Sequence, residues 1–374
     1  MPGRKKPICL KRPLLLLDKD KCIKNIRFMA GKAAGHNLLL RPHFKTHQSL
    51  ITGEWFRDEG TDRITVSSMV MAHYFGTNGW DDICVAFPFN IHETDEAATL
   101  AEKIRLHLTV CSAETLRFIE SSSIGEIGIY IKTDTGYNRT GADWDDTGSI
   151  EEMLEIIDRS SKLDFTGFMV HNGHTYHVRG HDEVERIHRE SADRLCVLRN
   201  KFAEPYGPFL ISSGDTPSCS MLSDFEGIDE IRPGNYVFYD LTQMHIGACK
   251  PDDIAVALAV PVVAKHPGRN ELVVYGGAVH LSKESLVLED GTRVWGQVAE
   301  TDLSSWSAPV PGTWVTKVSQ EHGVIRCSES FFKRTGPGDI IAILPVHSCL
   351  TADLMGGYTT TGGTRIDHLS GYQK

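Results

Sequence analysis

No apolar run in this 374-residue chain approaches the ~18 consecutive residues that a membrane-spanning helix needs. The basic start, Met1 to Lys6, is followed only by the short run Leu14–Leu17, too little for a secretory signal, so a disordered tail is expected there. A basic excess is also missing. The net charge is −10, which argues against nucleic acid as the main partner, because phosphate binding needs a basic face. There is no Cys-x-x-Cys pair. The nine cysteines, an odd number, lie scattered, as in a reduced cytoplasmic protein. Internal repeats and low-complexity segments are absent as well.

What is present is an ordinary globular composition: 41% hydrophobic, 24% charged, mean hydropathy −0.21. The length allows two domains, each with its own core. After the Leu14–Leu17 strand, Asp18 is placed to cap a helix over residues 19–34. Short apolar runs then alternate with amphipathic stretches. The runs cover residues 38–45, 64–68, 83–88, 106–111, 127–134, 165–171, 209–213 and 230–236. Eight strands alternating with helices predict a parallel α/β fold, and eight is the number that closes a (β/α)₈ TIM barrel. An open doubly wound sheet competes, but it would carry a glycine-rich first βα turn. Here that turn reads Lys45-Thr46-His47. Beyond about residue 250 the runs 254–264, 272–275, 294–299, 314–318 and 339–344 are strand-like, with Gly and Pro between them. They predict a smaller, mostly antiparallel β-domain over 249–374, joined by residues 1–13, after a barrel over 14–248. Residues 359–364 read as loop.

The chemistry concentrates at the strand ends. The first run finishes in Arg41-Pro42-His43-Phe44-Lys45-Thr46-His47, placing a lysine at the barrel mouth, where such folds build active sites. Cationic neighbours and partial burial would lower its pKa and favour it as an amine nucleophile towards a carbonyl. The seventh run ends in Gly214-Asp215-Thr216-Pro217, and the eighth holds Arg232-Pro233-Gly234-Asn235-Tyr236. Glycines there let backbone N–H groups approach phosphate oxygens, and hydroxyls add donors. Each tail alone reads as a plain turn. These two, with the tails of the fifth and sixth runs that start at Lys132 and His171, read behind a strand-end lysine as a pyridoxal-phosphate barrel.

With Asp134-Thr135-Gly136-x-x-Arg139-x-Gly141 and His171-x-Gly173-His174-x-Tyr176, this ordered set resembles fold-type III pyridoxal-phosphate enzymes with an alanine racemase-like barrel. Within them it is similar to the D-threonine aldolase and D-serine dehydratase family. The resemblance spans nearly the whole chain. It implies that Lys45 carries the cofactor and that Arg139 lies near its phenolic oxygen. Tyr176 would touch ring or phosphate, and Gly214, Thr216, Gly234 and Asn235 would surround the phosphate. His43, Asp215, Arg232 and Tyr236 complete the expected cofactor set.

Late in the chain, Pro345-Val346-His347-Ser348-Cys349 reads as an extended segment, so His347 and Cys349 would face the same side. An imidazole with a thiolate suits zinc, with manganese as the alternative. The pair is weak on spacing alone, and the resemblance is what implies a metal. It further implies a lyase acting on a D-3-hydroxy amino acid, by dehydration or by retro-aldol cleavage. Cys349 favours dehydration, and Lys45 and His174 (or metal-bound water) are candidate bases. A homodimer is the implied assembly. An amino-acid racemase, with Tyr275 as second base, and a non-catalytic cofactor carrier are the alternatives. One departure stands out: in Gly276-Gly277-Ala278-Val279-His280, His280 occupies the place where the family pattern has lysine. His107 and His188 read as structural. The tryptophans at 295, 306 and 314 read as core or interface, and Cys22, Cys84, Cys111 and Cys196 as buried thiols.

Overall fold

In the computed structural model, which describes residues 10–371, the chain forms two compact units. One holds Ile26–Tyr236 and Ile246–Ala248; the other holds, among the described residues, 10–25, Val237–His245 and 249–371. The expectations for Met1 to Lys6 and for Cys9 lie outside the described residues.

The first unit is built on an eight-stranded parallel sheet. In chain order the strands are Leu39–Leu40, Ile64–Val66, Asp82–Pro88, Arg105–Val110, Ile127–Asp134, Leu163–Met169, Leu210–Ser213 and Glu230–Ile231. Each pairs with its neighbour, and Glu230–Ile231 returns to Leu39–Leu40. A parallel bridge between His43 and Thr65 closes the ring. All eight residues of Ile127–Asp134 are buried, as expected of a strand covered on both faces. Several strand-end polar residues serve as helix caps. Ser49, Ser68 and Ser112 each accept from the N–H three residues on, at 3.0, 3.2 and 3.3 Å.

The barrel interior holds charge as well as hydrocarbon. Arg41, 2% exposed, donates from Nε to Glu230 Oε2 at 2.8 Å and from Nη1 to Asp82 Oδ1 at 2.5 Å. Tyr130 Oη donates to Glu230 Oε1 at 3.0 Å, and Ser212 Oγ donates to the same oxygen at 2.5 Å. These bonds tie strands one, three, five, seven and eight together.

The second unit is a nine-stranded sheet. Part of it closes on itself, because Glu271–Tyr275 pairs antiparallel with both Val256–His266 and His322–Arg326. Its inward faces supply the core of Leu258, Val260, Val274, Val298, Val315, Ile325 and Ile343, against which Trp295 packs. Leu14–Leu17 belongs here rather than at the start of the barrel. It pairs antiparallel with Val256–Ala259 and parallel with Leu16 and Leu17 opposite Thr359 and Thr360. The eight barrel strands already complete a ring, which leaves no edge in it for a further strand. Two further differences concern short elements. Residues 359–364 form a hairpin between Tyr358–Thr360 and Arg365–Ile366 instead of loop. The segment read as extended around Cys349 is a helix, Ser348–Met355, with His347 as its N-cap residue. Among the described residues no helix is long and apolar enough to cross a membrane.

Candidate active site

Strand one ends after Leu40, and the chain turns into a single 3₁₀ turn, Phe44–Thr46, that presents Lys45. His43 caps it, its Nδ1 accepting from Lys45 N at 3.4 Å. Lys45 is exposed at the mouth, not partly buried as expected. Phe44 points the other way, packed edge-on against Phe75 and Trp80 with centroids 5.1 and 5.0 Å apart. The buried phenylalanine thus anchors the turn that carries the lysine.

Around Lys45 the structure gathers a cationic cluster. His43 is held well below the usual histidine range, first by desolvation and then by the positive charge of Lys45 and Arg232. His171 is lowered likewise, by burial and then by Lys132, Arg139 and Lys45. Lys132, 5% exposed, is pushed down to about 7 by burial, with Arg232 and Arg139 adding to it. The sequence motifs assign a role to neither Lys132 nor His171. A usable signal was the strand period. Gly128, Tyr130 and Lys132 lie on one face of Ile127–Asp134, and Tyr130 reaches across the barrel to Glu230. Conversely, His174 is not in this cluster. It stacks on Tyr137 with ring centroids 5.9 Å apart, and the charges that act on it are Asp134, Glu190, Arg186 and Arg194. Arg139 is exposed, its guanidinium 5.1 Å from the Tyr137 ring.

The phosphate-type tails of strands seven and eight come together with the lysine turn. His43 N donates to Pro233 O at 2.9 Å. A Cβ on Gly234 would stand 2.9 Å from His43 O, too close without a shift of backbone, and one on Gly214 would stand 3.0 Å from Arg232 Cβ, a tight contact that needs Arg232 to give by a few tenths of an ångström. Tyr176 Oη accepts from Thr216 N at 3.3 Å, and His171 Nδ1 lies 2.6 Å from Gly214 O. Asp215 caps Thr216–Met221, its Oδ1 accepting from Ser218 N at 2.7 Å and from Thr175 Oγ1 at 3.0 Å. Arg232 is buried, donating to Ser212 Oγ and, at 2.8 Å, to Val170 O. Asn235 is buried, and Tyr236 is buried against Phe56 with centroids 6.1 Å apart. Thr216 Oγ1 is fully buried and has no hydrogen-bond partner among the described residues. An orphaned hydroxyl two residues from Gly214, with the tightly packed Gly234 on the neighbouring tail, fits a phosphate-bearing cofactor.

In the other unit, His347 and Cys349 meet across the first turn of Ser348–Met355. Burial pulls the His347 imidazole down, but its hydrogen bond to Cys349 and the charges of Cys349, Asp240 and Glu284 outweigh this and raise it to about 9. A facing imidazole and thiol form a donor set suited to zinc. Among the described residues no third His, Cys, Asp or Glu joins them. His280 lies on the short helix Ala278–Leu281, its Nδ1 accepting from Gly277 N at 3.3 Å and its ring 5.5 Å from Tyr275.

Comparison with known proteins places these features in context. The family model for the alanine racemase N-terminal domain matches residues 17–241, and that for a serine dehydratase domain matches 255–361. The chain is 29% identical to the D-serine dehydratase of Dictyostelium discoideum, over 92% of this chain and 91% of that one. It is 26% identical to the D-threo-3-hydroxyaspartate dehydratase of Delftia sp. (strain HT23), over 92% of both. A solved structure of a D-threo-3-hydroxyaspartate dehydratase single-site variant superposes with a TM-score of 0.87 at 25% identity, covering 96% of this chain and 95% of that chain.

Proposed function

We propose, on the premise that this chain belongs to the family joining an alanine racemase N-terminal domain to a serine dehydratase domain, that it is a pyridoxal-phosphate- and divalent-metal-dependent lyase. Its substrate in this reading is a D-3-hydroxy amino acid, and the reaction is dehydration. The observation that carries the reading is the convergence of Lys45, His43, Lys132 and His171 beside the glycine cradle of Gly214 and Gly234. Both sequence relatives named above are dehydratases, one of D-serine and one of a D-3-hydroxy acid.

The cofactor, when bound, supplies an electron sink for the negative charge left on the substrate Cα. The residues would divide the remaining work. Lys45 Nζ would hold the cofactor, and its amine would be the base for the Cα proton. Thr216, Gly214, Gly234 and Asn235 hold the phosphate, with Tyr176 steadying the Thr216 N–H. Lys132, Arg139 and Arg232 keep the mouth electropositive, favouring an anionic amino acid and the bound phosphate. His347 and Cys349 would hold the metal, zinc by their chemistry, which would supply Lewis-acid chemistry for the substrate hydroxyl. The barrel is thus the cofactor domain and the β-unit the metal domain, in a homodimer.

The test is to incubate the enzyme with D-serine, D-threonine and D-3-hydroxyaspartate, with zinc, with manganese and with chelator, measuring keto acid, glycine and aldehyde separately. Keto acid and ammonia that vanish with chelator are expected. Borohydride reduction followed by peptide mapping should label Lys45. Label on another lysine, or no turnover of any hydroxy amino acid, would overturn the reading. Glycine and aldehyde would reassign it to carbon–carbon cleavage.

A further inference from the structure

A helix normally begins at Ser, Thr, Asp or Asn, whose side chain caps the first free N–H groups. Helix Ser348–Met355 begins at His347, which makes no side-chain cap bond. The cap comes from more than a hundred residues away in sequence. Asp240, 1% exposed, accepts from Ser348 N at 3.0 Å and from Ser348 Oγ at 3.3 Å through Oδ2. Its Oδ1 accepts from Gln243 N at 2.9 Å, so one carboxylate serves two helix starts. Two residues further on, Thr242 N and Oγ1 donate to Val346 O at 3.3 and 2.8 Å. His347 is thereby bracketed: the residue before it is pinned by Thr242 and the residue after it by Asp240.

We infer that Asp240 is the positioning residue of the His347–Cys349 pair. By capping Ser348–Met355 from outside, it relieves the N-cap residue of that task and leaves the imidazole available to face Cys349. It also holds Ser348, the residue between the two donors, so that both point one way. A carboxylate at a helix N-terminus is favoured by the helix dipole, which makes this cap strong where a water molecule would be weak. The inference rests on the reading that His347 and Cys349 bind the metal, and the experiment separates the two.

Zinc affinity is measured by competition with a chromophoric chelator for the wild type and for Asp240→Ala, Asp240→Asn, His347→Ala and Cys349→Ala. The cobalt(II) forms are compared by their thiolate charge-transfer and ligand-field bands. Circular dichroism and retention of the pyridoxal absorbance serve as fold controls. Loss of the cap should weaken zinc about 10-fold to 100-fold, as removal of outer partners of metal ligands does. It should also broaden and shift the cobalt spectrum while the pyridoxal band is retained. Asp240→Asn keeps the volume and one acceptor, so it reports even if the alanine variant does not fold. Either Asp240 variant, folded, binding zinc within threefold of wild type with an unchanged cobalt spectrum, would overturn the role of Asp240. If His347→Ala and Cys349→Ala bind zinc as tightly as wild type, the metal reading itself falls.

Discussion

Exchange of Lys132 for methionine should make the apoprotein more stable, and by an amount that depends on pH. The side chain is 5% exposed, no acid among the described residues forms an ion pair with it, and the repulsion of Arg232 and Arg139 outweighs the attraction of Asp134. Its folded pKa of about 7, against 10.5 ordinarily, means that keeping it charged in the fold costs roughly 5 kcal/mol below pH 7. The sign follows from proton counting. Between pH 7 and 10.5 the unfolded chain binds the proton more tightly than the folded one, so stability rises with pH across that window. Below pH 7 both states are protonated and the whole cost is present; above 10.5 neither is, and it vanishes. Methionine keeps the stem and removes the ammonium. The assay is urea denaturation of the apo forms of wild type and Lys132→Met at pH 6, 8 and 10, and the difference between them cancels the titrating groups that Lys132 does not act on. The variant should lead by several kcal/mol at pH 6, and the lead should shrink steadily towards pH 10. A lead that is absent, or that does not change with pH, would refute the placement of this lysine as a buried cation without a counter-ion. Apoprotein is required because an anionic cofactor beside the ammonium would restore its charge.

Two other substitutions test the frame of the same site. Arg41→Met strands Glu230 and Asp82 without their cation inside the barrel. A loss of about 3–5 kcal/mol in denaturation is expected, the usual cost of breaking one side of a buried pair. Gly234→Ala puts a methyl group 2.9 Å from the carbonyl oxygen of His43. It should prise the strand-eight tail from the lysine turn, costing about 1–3 kcal/mol in stability. The pyridoxal absorbance remaining after dialysis should fall well below that of wild type.

Sequence by itself determined the repeating unit and its number. Parallel strands buried on both faces must be continuous apolar runs, and eight of them are visible between Leu38 and Tyr236. It also determined which tails carry chemistry, because Gly, Ser, Thr and Lys clustered after apolar runs are legible without coordinates. Tertiary structure decided what depends on contacts distant in sequence. Leu14–Leu17 reads the same whether it joins a parallel barrel or an antiparallel sheet, and only the open edge of Val256–Ala259 assigns it. The motif puts His174 forward as a base and gives His171 no role, whereas the fold turns His171 towards Lys45 and His174 towards Glu190 and Arg186. The segment at His347 is a helix start because Asp240 caps it from across the unit. A local pattern cannot encode such a bond, because its two ends meet only after the chain has folded.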